Sequence, residues 1–182
     1  MSEATRMPLV ERDQAGLLIR GVYGDDGSAS NITKTLANSP DTLAKLTPLL
    51  GQVMNPTTID GGIKELVVLR VSAMNHCSYC VPTHEVVARR MGIEDDRVAC
   101  LASGDAGDGL FDDRSRAVID LCDQLVTDAG GMTGELLARL RTHFEEQEIV
   151  ELTVLAGAIT LLNYVASAFD VPLDAKTLAA TA

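Results

Sequence analysis

A chain of 182 residues that is 46% hydrophobic but only 3% aromatic, with no Trp, has length for one core built from Leu, Val, Ile, Ala and Met. Its formal net charge of −11 argues against nucleic-acid binding, which draws on clustered Lys and Arg, and against docking on anionic membranes. Six prolines and fifteen glycines fall mostly between periodic stretches, which argues against low complexity or long disorder.

In chain order, residues 11–23 read as a first amphipathic helix after an N-terminal arm (residues 1–13), and Gly24 to Asn31 as a polar turn. A second helix follows Pro40, with Leu43, Leu46, Leu49 and Leu50 as its expected buried stripe, and Asn55-Pro56 breaks it. From Ile59 to Met74, the residues Ile63, Leu66, Val67, Val71 and Met74 line one helical face. Val68, Leu69 and Ala73 lie elsewhere around it, so this helix is expected to be covered on most sides. Glu65, Ser72 and His76 form a narrow polar stripe on it; the plain reading of Glu65 is a solvated edge or an ion pair with Lys64 or Arg70.

The next helix runs to Met91-Gly92. Pro82 fits its first turn, where backbone N–H groups lack intrahelical partners, and Ser78 is the expected N-cap. A short helix covers Glu94 to Leu101. The loop Ser103 to Gly109 has the glycines of a phosphate cradle but neither the preceding strand nor the following Lys-Ser/Thr. Asp112 or Asp113 caps a helix through Asp128, and helices at about Thr133 to Phe144 and Gln147 to Phe169 finish the core before Pro172. No alternating apolar–polar run appears, so the expected fold class is all-α, as one domain over residues 1–182. Glu65-Leu66-Val67-Val68-Leu69 is echoed by Glu151-Leu152-Thr153-Val154-Leu155, which raises the possibility of duplicated helical hairpins.

No stretch reaches the ~18 apolar residues of a spanning helix. Met1 to Gln14 lacks the apolar run of a signal peptide, so the expected address is the cytoplasm. In that reducing compartment a close cysteine pair points to catalysis, redox sensing or metal binding. Cys77 and Cys80 are such a pair, with His84 four residues on. On a helix advancing about 100° per residue, Cys77 falls some 20° from His84 and Cys80 some 40° to the other side. That puts all three on one inward face, while Glu85, Arg89 and Arg90 point away. Cys80 lies near the helix start, where the dipole favours a thiolate.

The expected chemistry assigns His84 as base, Glu65 as its relay partner, Cys80 as attacking thiol and Cys77 as resolving thiol; the two cysteine roles are open to reversal. Attack on a peroxide O–O bond leaves a sulfenic acid, which the second cysteine converts to a disulfide that an external dithiol then reduces. Attack on a disulfide sulfur is the alternative. A competing reading is a zinc-stabilised structural oligomer using Cys77, Cys80 and His84, with a fourth ligand from Cys100, Cys122, His76 or His143. Cys100 and Cys122 otherwise read as small core hydrophobes.

Glu65, Cys77-Ser78-Tyr79-Cys80 and His84, with Arg89 to Gly92 closing the helix, resemble the signature of the carboxymuconolactone decarboxylase superfamily, in its alkyl hydroperoxidase D-like branch. The likeness runs roughly from residue 14 to 173. It implies an all-α fold assembled as a dimer, trimer or hexamer, and a peroxidase or disulfide reductase acting on small hydroperoxides. It also implies regeneration by a lipoyl- or thioredoxin-like dithiol, with no cofactor besides the Cys77–Cys80 pair. The decarboxylase branch generally lacks the two cysteines. One departure stands out: Tyr79 replaces the histidine often found before the second cysteine, which weakens the peroxidase expectation and leaves Tyr79 and His76 as supporting candidates.

Overall fold

The computed structural model describes residues 6–105, 107 and 109–181; residues 1–5 of the expected arm, and Ala106 and Asp108 of the glycine loop, lie outside that set. Among the described residues there are nine α-helices and no strands: α1 (Asn31–Leu36), α2 (Pro40–Met54), α3 (Gly61–Met74), α4 (Cys80–Arg90), α5 (Asp95–Ser103), α6 (Asp113–Asp128), α7 (Gly134–Leu140), α8 (Glu146–Ala168) and α9 (Ala175–Thr181).

Helix α3 is the axis of the molecule. Asp60 starts it by accepting a hydrogen bond from the Ile63 N–H at 3.0 Å, and every residue from Ile63 to Ala73 is buried. Helices α4, α5, α6 and α8 pack around it, as the apolar residues on all its sides require. The polar residues caught inside are paired. Lys64 reaches Glu151 of α8 at 2.5 Å, and the guanidinium of Arg70 grips Asp123 of α6 through two bonds of 2.6 and 2.8 Å. Neither of these partners is Glu65, whose carboxylate faces α4 instead.

Other helix ends follow their sequence signals. Asp112 accepts from the Ser115 N–H at 2.7 Å to open α6, and Glu145 and Glu148 form a reciprocal capping box on α8. Helix α8 is 23 residues long with a mean hydropathy of 1.8 in its most apolar window. By length and composition it could cross a membrane, contrary to the expectation that no stretch qualifies. Here its inner side, including Leu152, Leu155 and Ile159, belongs to the main core with α3.

Three expectations fail locally. Residues 11–23 form successive turns with a short 3₁₀ segment at Arg20–Val22 rather than an α-helix. The periodic residues Ala15, Ile19 and Tyr23 are buried as that pattern demands, but Gly16 and Gly21 interrupt a stretch too short to recover their helix cost. The stripe expected on α2 is only partly right: Leu43 is buried with Val53, while Leu49 is exposed and Leu46 and Leu50 are intermediate. Helix α2 packs on α8, α1 and α3, and the side of it that carries Leu49 stays open to solvent. Finally, Asn31 is not in a turn but begins α1, with the Ser30 side chain accepting from the Thr33 N–H. The sequence echo falls on α3 and α8, which pack together, but α8 runs unbroken where α3 stops at Met74.

Candidate functional site

The way α3 ends sets the site. His76 adopts a left-handed conformation (φ 53°), its N–H bonds the Ala73 carbonyl, and the Cys77 N–H reaches back to the Ser72 carbonyl, both at 3.0 Å. This is the Schellman closure, normally built on glycine, and it turns Cys77 inward just past the helix. Helix α8 ends in the same way, with Asp170 at φ 48° and the Val171 N–H on the Ala166 carbonyl at 3.0 Å. Cys77, Tyr79, Cys80, Ala166 and Val171 consequently meet in one small buried cluster.

Cys77 and Cys80 are joined as a disulfide, with their Cα atoms 5.3 Å apart. Both are withdrawn from solvent, Cys80 at 6% exposure and Cys77 at 1%. Cys80 is the first residue of α4, one position earlier in the helix than a Ser78 cap would place it. No side chain caps this end; the Cys77 sulfur accepts the Cys80 N–H at 3.1 Å and Ser78 is exposed. The Val81 N–H bonds the Cys77 carbonyl at 3.1 Å and Pro82 has none to offer, so it is the Cys80 N–H and the helix dipole that bear on the cysteine pair.

His84 lies one turn along α4, on the same face as Cys80. Its Nδ1 is 2.7 Å from Oε1 of Glu65, which is 7% exposed. A carboxylate can only accept, so Nδ1 carries the shared hydrogen and Nε2 is left as the acceptor for a thiol proton. Beneath Cys77, Asn163 donates to the Ser72 hydroxyl at 3.1 Å and accepts from Asn75 at 2.9 Å, which ties α8 to the end of α3.

The supporting candidates separate. Tyr79 is buried, and its hydroxyl donates to Asp174 at 2.7 Å, while the other oxygen of Asp174 accepts the Asn31 N–H at 2.7 Å. Burial first, and then the neighbouring carboxylate, push the phenol pKa well above its ordinary 10.0. Tyr79 is thus a fixed donor that anchors the segment before α9. His76 is exposed, and among the described residues its ring has no hydrogen-bond partner. The fourth ligands considered for zinc are not gathered here: Cys122 is packed in α6 and Cys100 donates to the Asp105 carbonyl at 3.4 Å. Among the described residues no three His, Cys, Asp or Glu side chains form a metal-holding group. No local signal marks Asp174, whereas Asn163 stands out as a polar residue in the apolar α8.

The carboxymuconolactone decarboxylase family model matches residues 40–119, from the start of α2 into α6. The uncharacterized protein YdfG of Bacillus subtilis (strain 168) is 28% identical over 113 residues, 62% of this chain and 76% of that one. The crystal structure of an uncharacterized peroxidase-related protein from Ralstonia eutropha JMP134, an alkylhydroperoxidase AhpD core, superposes with a TM-score of 0.84 at 21% identity, covering 97% of this chain and 96% of that one. The debrominase Bmp8, as a cysteine-to-alanine variant with 2,3,4-tribromopyrrole, shares the fold at a TM-score of 0.76 and 18% identity, with 99% and 97% covered. The family match thus lies on the central helices of this chain, and the solved AhpD-like structures share its overall fold.

Proposed function

We propose that the protein is a thiol-dependent peroxidase that reduces small hydroperoxides at Cys77 and Cys80. The observation that carries this reading is a bonded cysteine pair at a helix N-terminus, one turn from a histidine that is held by a buried carboxylate. In the reduced protein, His84 Nε2 takes the Cys80 thiol proton, and the thiolate gains from the α4 N-terminus. The thiolate attacks one peroxide oxygen, the O–O bond breaks, and the departing alkoxide takes the proton from His84 to leave as an alcohol. Cys80 is then a sulfenic acid; the Cys77 thiol attacks its sulfur, water departs, and the disulfide forms. Two exchange steps with an external dithiol, lipoyl- or thioredoxin-like, restore both thiols and oxidise that dithiol to its own disulfide. Glu65 acts through His84 as a positioning residue.

The greater exposure of Cys80 and its place on the His84 face support Cys80 as the attacking sulfur. Tyr79 supports a second reading, general thiol–disulfide exchange, because its hydroxyl is engaged by Asp174 and brings no base to the pair. No metal or organic cofactor has a part in either reading. A reducing compartment, the cytoplasm, suits a pair that must be re-reduced each cycle. Neither nucleic acid nor membrane is a partner in this reading. Self-assembly is supported by the stripe Val150, Val154, Leu161 and Tyr164, which lies exposed along α8 at helical spacing. Replacing Val154 with Asp should dissociate such an oligomer, read as mass by light scattering.

The deciding experiment counts thiols before and after one equivalent of hydroperoxide and maps the new disulfide. Loss of two thiols with a Cys77–Cys80 link supports the peroxidase. Retention of both, with ready reduction of a disulfide substrate, favours the exchange reading.

A further inference from the structure

A cleft of about 750 Å³ opens between α4, α9 and the segment leading into α1. Its wall is shared with the cysteine cluster. Leu173 lines the cleft and packs on that cluster, and Asp174 lines it while holding the Tyr79 hydroxyl. Thr83, directly before His84, lines it too and donates to the Tyr79 carbonyl at 2.7 Å.

The lining has two characters. Val86 and Val87 of α4 face Leu173 and Leu178 across an apolar trough. Around it stand Lys34, Arg90 and Lys176, three cations in a chain of net charge −11. Lys34 is already paired with Glu11 at 2.9 Å. Arg90 and Lys176 are exposed, and among the described residues neither forms a hydrogen bond or a close ion pair, although the Asp26 carboxyl, held below its ordinary pKa by hydrogen bonds from Ser28, is lowered further by Lys176 nearby. The one carboxylate in the lining, Asp174, has both oxygens occupied by the Tyr79 hydroxyl and the Asn31 N–H. An apolar trough with unpaired cations beside it suits a ligand that is apolar along its length and anionic at one end.

We infer that this cleft is a binding site for an apolar chain bearing a carboxylate, such as a medium-chain carboxylic acid. This assignment does not depend on the peroxidase reading. The carboxylate sits with Arg90 and Lys176, and the chain lies along Val86, Val87 and Leu173.

The test titrates the intact protein with decanoate and with decanol by calorimetry, so that binding is read without turnover. Saturable binding of decanoate, about tenfold tighter than decanol, is expected, as a charge-assisted contact adds to the same apolar burial. In the double variant Arg90→Gln, Lys176→Gln that preference disappears while helical circular dichroism is retained. Absence of saturable binding, equal binding of acid and alcohol, or a preference that survives in the double variant each overturns the assignment. Decanoate binding without consumption of any hydroperoxide upholds the cleft and sinks the peroxidase reading alone.

Discussion

Cys77 and Cys122 are equally shut away from water, at 1% and 0% exposure, yet their surroundings favour opposite chemistry. Cys122 sits in the middle of α6 among apolar side chains, and burial pushes its thiol pKa far above the ordinary 9.0, with Asp123 adding to the shift. It is a small core hydrophobe that stays protonated. Cys77 sits between the end of α3 and the start of α4, bonded to Cys80 and receiving the Cys80 N–H. Burial alone therefore does not mark a reactive cysteine. What differs is a helix-start N–H directed at the sulfur and a base one turn along from its partner cysteine.

The sharpest way to break this comparison is to swap roles. In Cys80→Ser, hydroperoxide consumption should fall to background. Cys122→Ala should retain turnover and lose about 1 kcal/mol of stability, read by chemical denaturation. If Cys122→Ala silences the enzyme, the contrast between the two regions is wrong.

Next in size, His84→Ala should slow thiolate formation and peroxide turnover by about 10²–10⁴-fold, the range for a lost general base. Glu65→Gln should lower the rate less and change its pH profile, because the amide can still hold His84 but cannot stabilise its protonated form. Identical pH profiles in wild type and Glu65→Gln would leave Glu65 as packing.

Lys64 and Glu65 sharpen the point on α3, since adjacent buried ionic residues serve different ends. Removing Lys64 (Lys64→Met) takes away the cation paired with Glu151, leaving it only the Thr57 hydroxyl, and should cost about 3 kcal/mol in stability, with the site chemistry intact. Burial disfavours the Glu151 carboxylate, but hydrogen bonds from Lys64 and Thr57 outweigh it and hold its pKa below the ordinary 4.5. A lowered folded pKa gives stability that is complete above the unfolded value and disappears as pH falls through the folded one. Wild type should therefore lose this contribution only below about pH 4.5, and Lys64→Met should lack that part of the acid dependence.

The smallest effect tests His76. As a left-handed residue with an unengaged ring, it should be replaceable by Gly with a gain of about 1 kcal/mol in stability. A rise in melting temperature with normal turnover fits a backbone role. A collapse in turnover would return the imidazole to the chemistry.

Much of this was legible beforehand. The all-helical architecture follows from apolar spacing in α3, α6 and α8, and from caps such as Asp60 and Asp112, whose signals are local. The pairing of His84 with Glu65 was legible as a spacing but not as a preference over Lys64 or Arg70, because the choice depends on where α6 and α8 deliver Asp123 and Glu151. The turns at residues 11–23 were not legible, since buried Ala15, Ile19 and Tyr23 carry a helical period without a helix. Tyr79's engagement was hidden for the same reason. Asp174 is 95 residues away and acquires its role only when α8 has brought the chain back.

That return journey makes the length of α8 a constraint on the cysteines. Asn163 must meet Ser72 near the end of the helix, and Val171 must arrive beside Cys77 just past it. One residue inserted between those two contacts would rotate everything beyond it by about 100° and shift it about 1.5 Å. Val171 would leave the cluster, and Asp174 would be carried off Tyr79. Insertions in this stretch should thus be far less tolerated than insertions in the loop after α5, although no residue of α8 touches a peroxide in the proposed chemistry.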